Sequence, residues 1–100
     1  MAFVRVATYA VRPSETDEIR RRIEKTLVPL YQAQPGFLSL SIVDAGDYIV
    51  SISNWDTGEH AREGAEVAIG WVKRQADLVT GPPTTSHFGS EIVFAEGRGG

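Results

Sequence analysis

Apolar positions follow two rhythms along the chain. Residues 3–11, 37–44, 47–55 and about 86–96 form short runs rich in Val, Ile, Leu, Phe and Tyr, bounded by Gly, Pro, Asp or Arg-Pro, and these read as strands. Between the first two runs, Ile19, Ile23, Leu27, Leu30 and Tyr31 recur every three or four residues. After the third run, Ala61, Ala65, Ala68, Ile69, Val72, Ala76 and Val79 do the same. Both sets place one apolar stripe on a helix. The predicted order is therefore βαββαβ, in one domain over residues 1–96, with a disordered tail at 97–100.

The boundaries have local causes. Ser14 is the expected first-helix cap, accepting from the amide of Asp17, with Glu15, Asp17 and Glu18 at the positive end of the helix dipole. Arg20, Arg21, Arg22, Glu24 and Lys25 read as a solvated face. Pro29 has no amide to give and predicts a kink; Pro35-Gly36 then stops the helix. Ala45-Gly46 between Asp44 and Asp47 reads as a hairpin connection. Asp56 or Thr57 caps the second helix, and Gly81-Pro82-Pro83 ends it.

Two helices cover only one face of a four-stranded sheet. Val4, Val6, Leu38, Leu40 and Ile42 are expected on the other face, and a second copy of the chain is the expected cover, giving a homodimer.

Composition narrows the function classes. At 100 residues the chain hides a modest share of its surface, which dimerisation would enlarge. The net charge is −3 with signs interspersed, so neither nucleic acid nor an anionic membrane is an expected partner. The absence of Cys excludes disulfides and thiolate chemistry. Arg5 and Arg12 interrupt the first apolar run, so it reads as no signal peptide, and the expectation is a cytoplasmic protein. An RNA-binding module of this topology stacks bases on a strand motif that residues 48–55 lack, and a metal carrier needs a soft-ligand pair that Arg12-Pro13-Ser14 does not supply.

Gln34-Pro35-Gly36-Phe37-Leu38, the hairpin leading into Asn54-Trp55-Asp56, the helix that follows at once and the Gly-Pro-Pro before a last strand together resemble the antibiotic biosynthesis monooxygenase family, from Phe3 to Phe94. The resemblance implies an α+β, ferredoxin-like fold: an antiparallel four-stranded sheet with two helices on one face, paired into a dimeric α/β barrel. It also implies a pocket between helices and sheet where some members oxidise aromatic phenols or quinols with O₂ and no cofactor. A haem-degrading branch uses a His late in the second helix and an Asn on the first strand. Here residues 70–79 hold no His and the strand reads Val6-Ala7-Thr8, so neither haem nor metal is expected.

Cofactor-free oxygenation needs a dry cavity, a base for the phenol and a donor for the developing oxyanion. Trp55 and Trp71 are candidate walls for a planar aromatic substrate, or ordinary core aromatics. Ala61, Gly64, Ala65 and Ala68 on the sheet-facing side of the second helix would leave a cavity, or else allow close packing. Gly64 and Gly70 each cost the helix about 1 kcal/mol relative to Ala. His87 is the candidate base, or else an exposed strand-end His, and Asn54 is the candidate oxyanion donor. Neighbouring strand residues face opposite ways, which puts Trp55 toward the helices and Asn54 away from them. Tyr9 is a candidate to hydrogen-bond the substrate. The alternative is a non-catalytic dimeric ligand-binding or interaction domain of the same fold.

Overall fold

The computed structural model describes residues 2–97. β1 (Phe3–Ala10) leads into α1 (Thr16–Arg22), which passes through a π-helical turn (Ile23–Leu27) into α2 (Val28–Gln32). A hairpin, β2 (Phe37–Asp44) and β3 (Tyr48–Trp55), precedes α3 (Gly58–Lys73) and β4 (Thr85–Ser90). The four strands form one antiparallel sheet in the order β2-β3-β1-β4, with the helices packed on one face. The fold is ferredoxin-like α+β, as the pattern predicts. Of the predicted tail, only Gly97 lies within the described residues.

Strand alternation sorts the sheet. Arg5, Ala7 and Tyr9 of β1 and Ile49, Ser51, Ser53 and Trp55 of β3 are buried under the helices. Their neighbours Val4, Val6, Thr8, Val50, Ile52 and Asn54 point to the open face. One part of the facial assignment is corrected. Leu40 and Ile42 pack against the core on the helix side. A bulge between Phe37 and Ser39 leaves Leu38 unpaired and exposed, and the extra residue shifts the alternation of the strand.

The first helix departs from the expected stripe. Ile19, Ile23, Leu27 and Tyr31 are buried, but Leu30 is 37% exposed. Positions four apart drift by about 40° per step on a 3.6-residue helix, so a straight helix would carry Tyr31 away from Ile19. The π turn absorbs the surplus residue: the Val28 amide donates to the carbonyl of Ile23, just before Pro29. Ser14 is no cap. It stands at φ +66° with its hydroxyl donating to the Pro13 carbonyl, and the helix begins after Glu15. Nor is Arg22 a solvated bystander, because it donates to both oxygens of Asp77 at 2.9 Å and to Gln75 at 3.0 Å, tying α1 to the segment after α3.

α3 is capped by Thr57, whose hydroxyl accepts from the His60 amide. It ends at Lys73, earlier than the apolar pattern predicts. The Trp71 and Val72 carbonyls are taken by the amides of Arg74 and Gln75. Ala76 is exposed, while Val79 pairs with Val11 across an isolated bridge. β4 stops at Ser90, and Ile92, Val93 and Phe94 lie exposed beyond it.

Candidate functional site

The small-residue stripe of α3 divides into two parts. Over its first half, Ala61, Gly64 and Ala65 sit directly on the sheet above Trp55, which has no exposed surface. A Cβ at Gly64 would overlap the Trp55 indole. Trp55 also meets Tyr31 and Phe37, each edge-on with centroids 5.4 Å apart, and its Nε1 donates to Ser53 Oγ at 2.9 Å. At this end the missing side chains of the helix make room for an indole. The cavity expected above Trp55 is filled by Trp55 itself.

Space lies further along the helix. Ala68 and Trp71 of α3, Tyr9 of β1, Ser51 of β3 and Tyr31 of α2 surround an inner void of about 20 Å³. Ile23, Ile42 and Ile49 line both this void and a groove of about 500 Å³ between α1 and β2. The groove has an apolar floor and a rim carrying Asp17, Arg20, Glu24 and Asp44. Trp71 is held in place by its Nε1 donating to Thr26 Oγ1 at 2.7 Å, so the π turn and α3 meet at the wall of the void.

Behind Tyr9, outside the lining of the void, lies a charged group unusual for a core. Arg5 is 2% exposed, and its Nη2 donates to the Tyr9 hydroxyl oxygen at 3.1 Å. Its Nε and Nη1 are buried with no hydrogen-bond partner. Tyr31 is pushed up to about 12 by burial, against the opposing pull of the Arg5 charge beside it. Its phenol therefore stays protonated and available as a donor across the physiological range.

The proposed base and oxyanion donor lie elsewhere. His87 pairs with Val6 across the β1–β4 ladder and so shares the open face with it. Asn54 also points to the open face, where its amide donates to Ser39 Oγ at 2.9 Å. Both are separated by the sheet from Trp55, Trp71, Tyr9 and Ala68. The reason is register: a residue's face in β4 follows from which β1 residue it opposes, and a one-residue difference reverses it. Sequence reasoning overlooked Arg5, although a signal was present. Arg5, Ala7 and Tyr9 alternate, so a strand with Tyr9 turned inward must turn Arg5 inward too. Among the described residues, no three His, Asp or Glu side chains are grouped to hold a metal ion.

The model of the family described as antibiotic biosynthesis monooxygenase matches residues 2–63, from β1 into α3. The chain belongs to that family. No curated protein matches it. Among solved structures, the chain is similar to the ActVA-Orf6 monooxygenase of Streptomyces coelicolor in complex with nanaomycin D, at 20% identity and a TM-score of 0.72 over 96% of this chain and 93% of that one. It is similar as well to Rv0793 of Mycobacterium tuberculosis, at 15% identity and a TM-score of 0.70 over 96% and 100%. A third relative is NE2512, a protein of unknown function from Nitrosomonas europaea, at 13% identity and a TM-score of 0.75 over 98% and 96%. At these identities the likeness speaks for a shared fold. The residues of the groove and inner void from β1 to the π turn and β3 all fall within the family match.

Proposed function

We propose that this antibiotic biosynthesis monooxygenase-family chain is a cofactor-independent monooxygenase acting on an aromatic phenol or quinol, working as a homodimer. The observation that carries the reading is the apolar-floored groove between α1 and β2, which shares Ile23, Ile42 and Ile49 with an inner void lined by Tyr9 and Tyr31. A flat apolar ring fits its Ile-lined floor, and its oxygen would reach the Tyr9 and Tyr31 hydroxyls by displacing the almost wholly apolar wall of the void. Because the Tyr9 oxygen already accepts from Arg5, its own hydrogen is free to donate.

The chemistry asked of the protein is modest. An ionised phenol or enol is electron-rich enough to reduce O₂ itself; in an anthrone the methylene becomes a carbonyl, and the second oxygen atom leaves as water. The protein's share is to exclude water, hold the ring and stabilise the anion. With His87 and Asn54 on the open face, the groups left for that work are Tyr9, Tyr31 and Ser51, with Trp71 and Ala68 as walls.

A second reading, a non-catalytic dimeric ligand-binding or interaction domain, is favoured by one feature of the structure. The inner void of about 20 Å³ takes little more than a water molecule, so any ring must stay in the groove or push side chains apart. Incubating the protein in air with a panel of anthrones and hydroquinones separates the two. Quinone absorbance should rise above a protein-free control, should persist with a chelator and should vanish without O₂. No rate above background across the panel leaves the non-catalytic reading. Within the groove, Leu40→Trp should weaken ligand binding while the fold survives, because Leu40 is half-buried on an edge strand and lines the groove.

A further inference from the structure

Arg5 poses a problem that the chain alone does not solve. A guanidinium keeps its charge when buried, and a buried charge is tolerated when it is paired and its donors are met. Arg5 lies in the middle of the sheet, opposite Ser53 on one side and Phe88 on the other. Phe88 covers it, with the guanidinium carbon 5.8 Å from the ring centroid. Its Nη2 donates to the Tyr9 hydroxyl, and the buried Tyr31 phenol lies close enough to feel its charge. None of the ion pairs among the described residues includes it. Two of its nitrogens, Nε and Nη1, are buried without a hydrogen-bond partner. Ala7, between Arg5 and Tyr9 on the same face, keeps the surroundings small.

We propose that Arg5 is the anion-binding residue of this site, and that the site takes its aromatic ligand as an oxyanion, a ring phenolate or carboxylate, whose oxygen accepts from the guanidinium donors left without a partner. The assignment rests on the groove and inner void being the ligand site, and it adds the charge state of the ligand. In the free chain the Tyr9 oxygen occupies one donor of the guanidinium. Arg5 itself lines neither the groove nor the void; Tyr9, which lines the void and accepts from Arg5, links the two, and a ligand oxygen reaches the guanidinium by displacing Tyr9. The charge then has the counterion the chain does not supply.

Binding of 4-nitrophenol tests this without any turnover, because the phenol and phenolate absorb at different wavelengths. With excess wild-type protein, the bound dye should titrate at least about one pH unit below the free dye, as a cation within contact distance dictates. Neutral 4-nitroanisole should bind about tenfold or more weakly than the phenolate. Arg5→Met should abolish both differences, and Arg5→Lys should restore part of them, with circular dichroism confirming that each variant is folded. A wild-type protein that binds nitrophenol and nitroanisole equally, or binds no nitrophenolate, overturns the proposal even if neither variant folds. So does an Arg5→Met protein that keeps the anion preference. The monooxygenase reading stands apart: phenolate binding without oxidation of any anthrone removes that reading and leaves the role of Arg5, whereas oxidation undiminished in Arg5→Met does the reverse.

Discussion

At the residue scale, a pair of glycines in one helix separates two uses of a small side chain. Gly64 is pressed against the Trp55 indole, whereas a Cβ at Gly70 meets nothing within 4 Å. Ala is better than Gly in a helix by about 1 kcal/mol, so Gly70→Ala should raise stability by up to that amount. At Gly64 the same gain is outweighed by overpacking worth about 1–3 kcal/mol, and the urea midpoint should fall. Trp55→Ala should cost about 3–5 kcal/mol, since the indole fills the core between Tyr31, Phe37 and α3. The alternation of Asn54 and Trp55 was legible in the sequence, because strand periodicity needs no knowledge of partners. The contrast between Gly64 and Gly70 was not, because it depends on which side chain lies beneath the helix. Arg5 was missed because a charge in an apolar run normally marks a solvated position, and its alternation with Ala7 and Tyr9, which turns it inward, was outweighed by that rule. At the surface, His60 Nδ1 and Asp56 Oδ1 stand 2.6 Å apart, their hydrogen bond raising the His60 pKa and lowering that of Asp56. The His60 contribution is complete below its ordinary 6.5 and lost as pH rises through the raised value; that of Asp56 is complete above 3.8 and lost as pH falls through the lowered one. Asp56→Asn should therefore lower the urea midpoint more at about pH 5.5 than at about pH 9. Equal losses at the two pH values count against a charged pair.

At the scale of elements, the first helix shows how a sequence pattern can be right in type and wrong in phase. Spacings of three and four identify a helix from about Ser14 onward, yet a uniform helix cannot bury Ile19, Ile23, Leu27 and Tyr31 together. The π turn over Ile23–Leu27 solves the conflict, and Leu30 is left outside as a result. Pro29 marked the place, because a residue with no amide tolerates an interrupted ladder, but it predicted a kink where the chain inserts an extra residue. A deletion tests the phase argument. Removing the exposed Lys25 takes out the surplus residue, so the π turn should become an ordinary α turn, with Tyr31 eleven residues from Ile19 and about 20° from it around a regular helix. Tyr31 should then keep Phe37 and Trp55. The deletion should thus lower the thermal midpoint little more than Lys25→Ala does, whereas an Ala inserted after Lys25 rotates everything beyond it by about 100° and should lower it far more. Equal midpoints for the deletion and the insertion would show that the extra residue is not what aligns the stripe.

For the whole molecule, the open question is what covers the second face of the sheet. Val4, Val6, Val50 and Ile52 form an apolar centre there, flanked by Thr8, Tyr48, Asn54 and His87 and by Ser39, Ser41 and Val43 of β2. This composition fits a patch that meets another protein surface: apolar and aromatic at the centre, with hydroxyl and amide groups toward the rim. The facial argument survives the correction of Leu40 and Ile42, because β1 and β3 at the middle of the sheet carry it, and β2 is an edge. A self-complementary pairing of two such sheets makes an isologous interface, and a stable one should bury more than about 1,000 Å² in all. Ile52 lies between Val6 and Ser41, close to the centre of the face. Ile52→Glu should therefore place two carboxylates in the middle of a dry contact, dissociating the dimer without disturbing the helix-side core. Sedimentation at micromolar concentration should show a dimer for the wild type and a folded monomer for Ile52→Glu. Because the candidate groove lies on the opposite side of the sheet, the monomeric variant should still bind nitrophenolate if the wild type does. Loss of binding in a folded monomer would mean that the partner copy shapes the site, and a wild-type chain that is itself a stable monomer would leave this apolar face without the cover proposed for it.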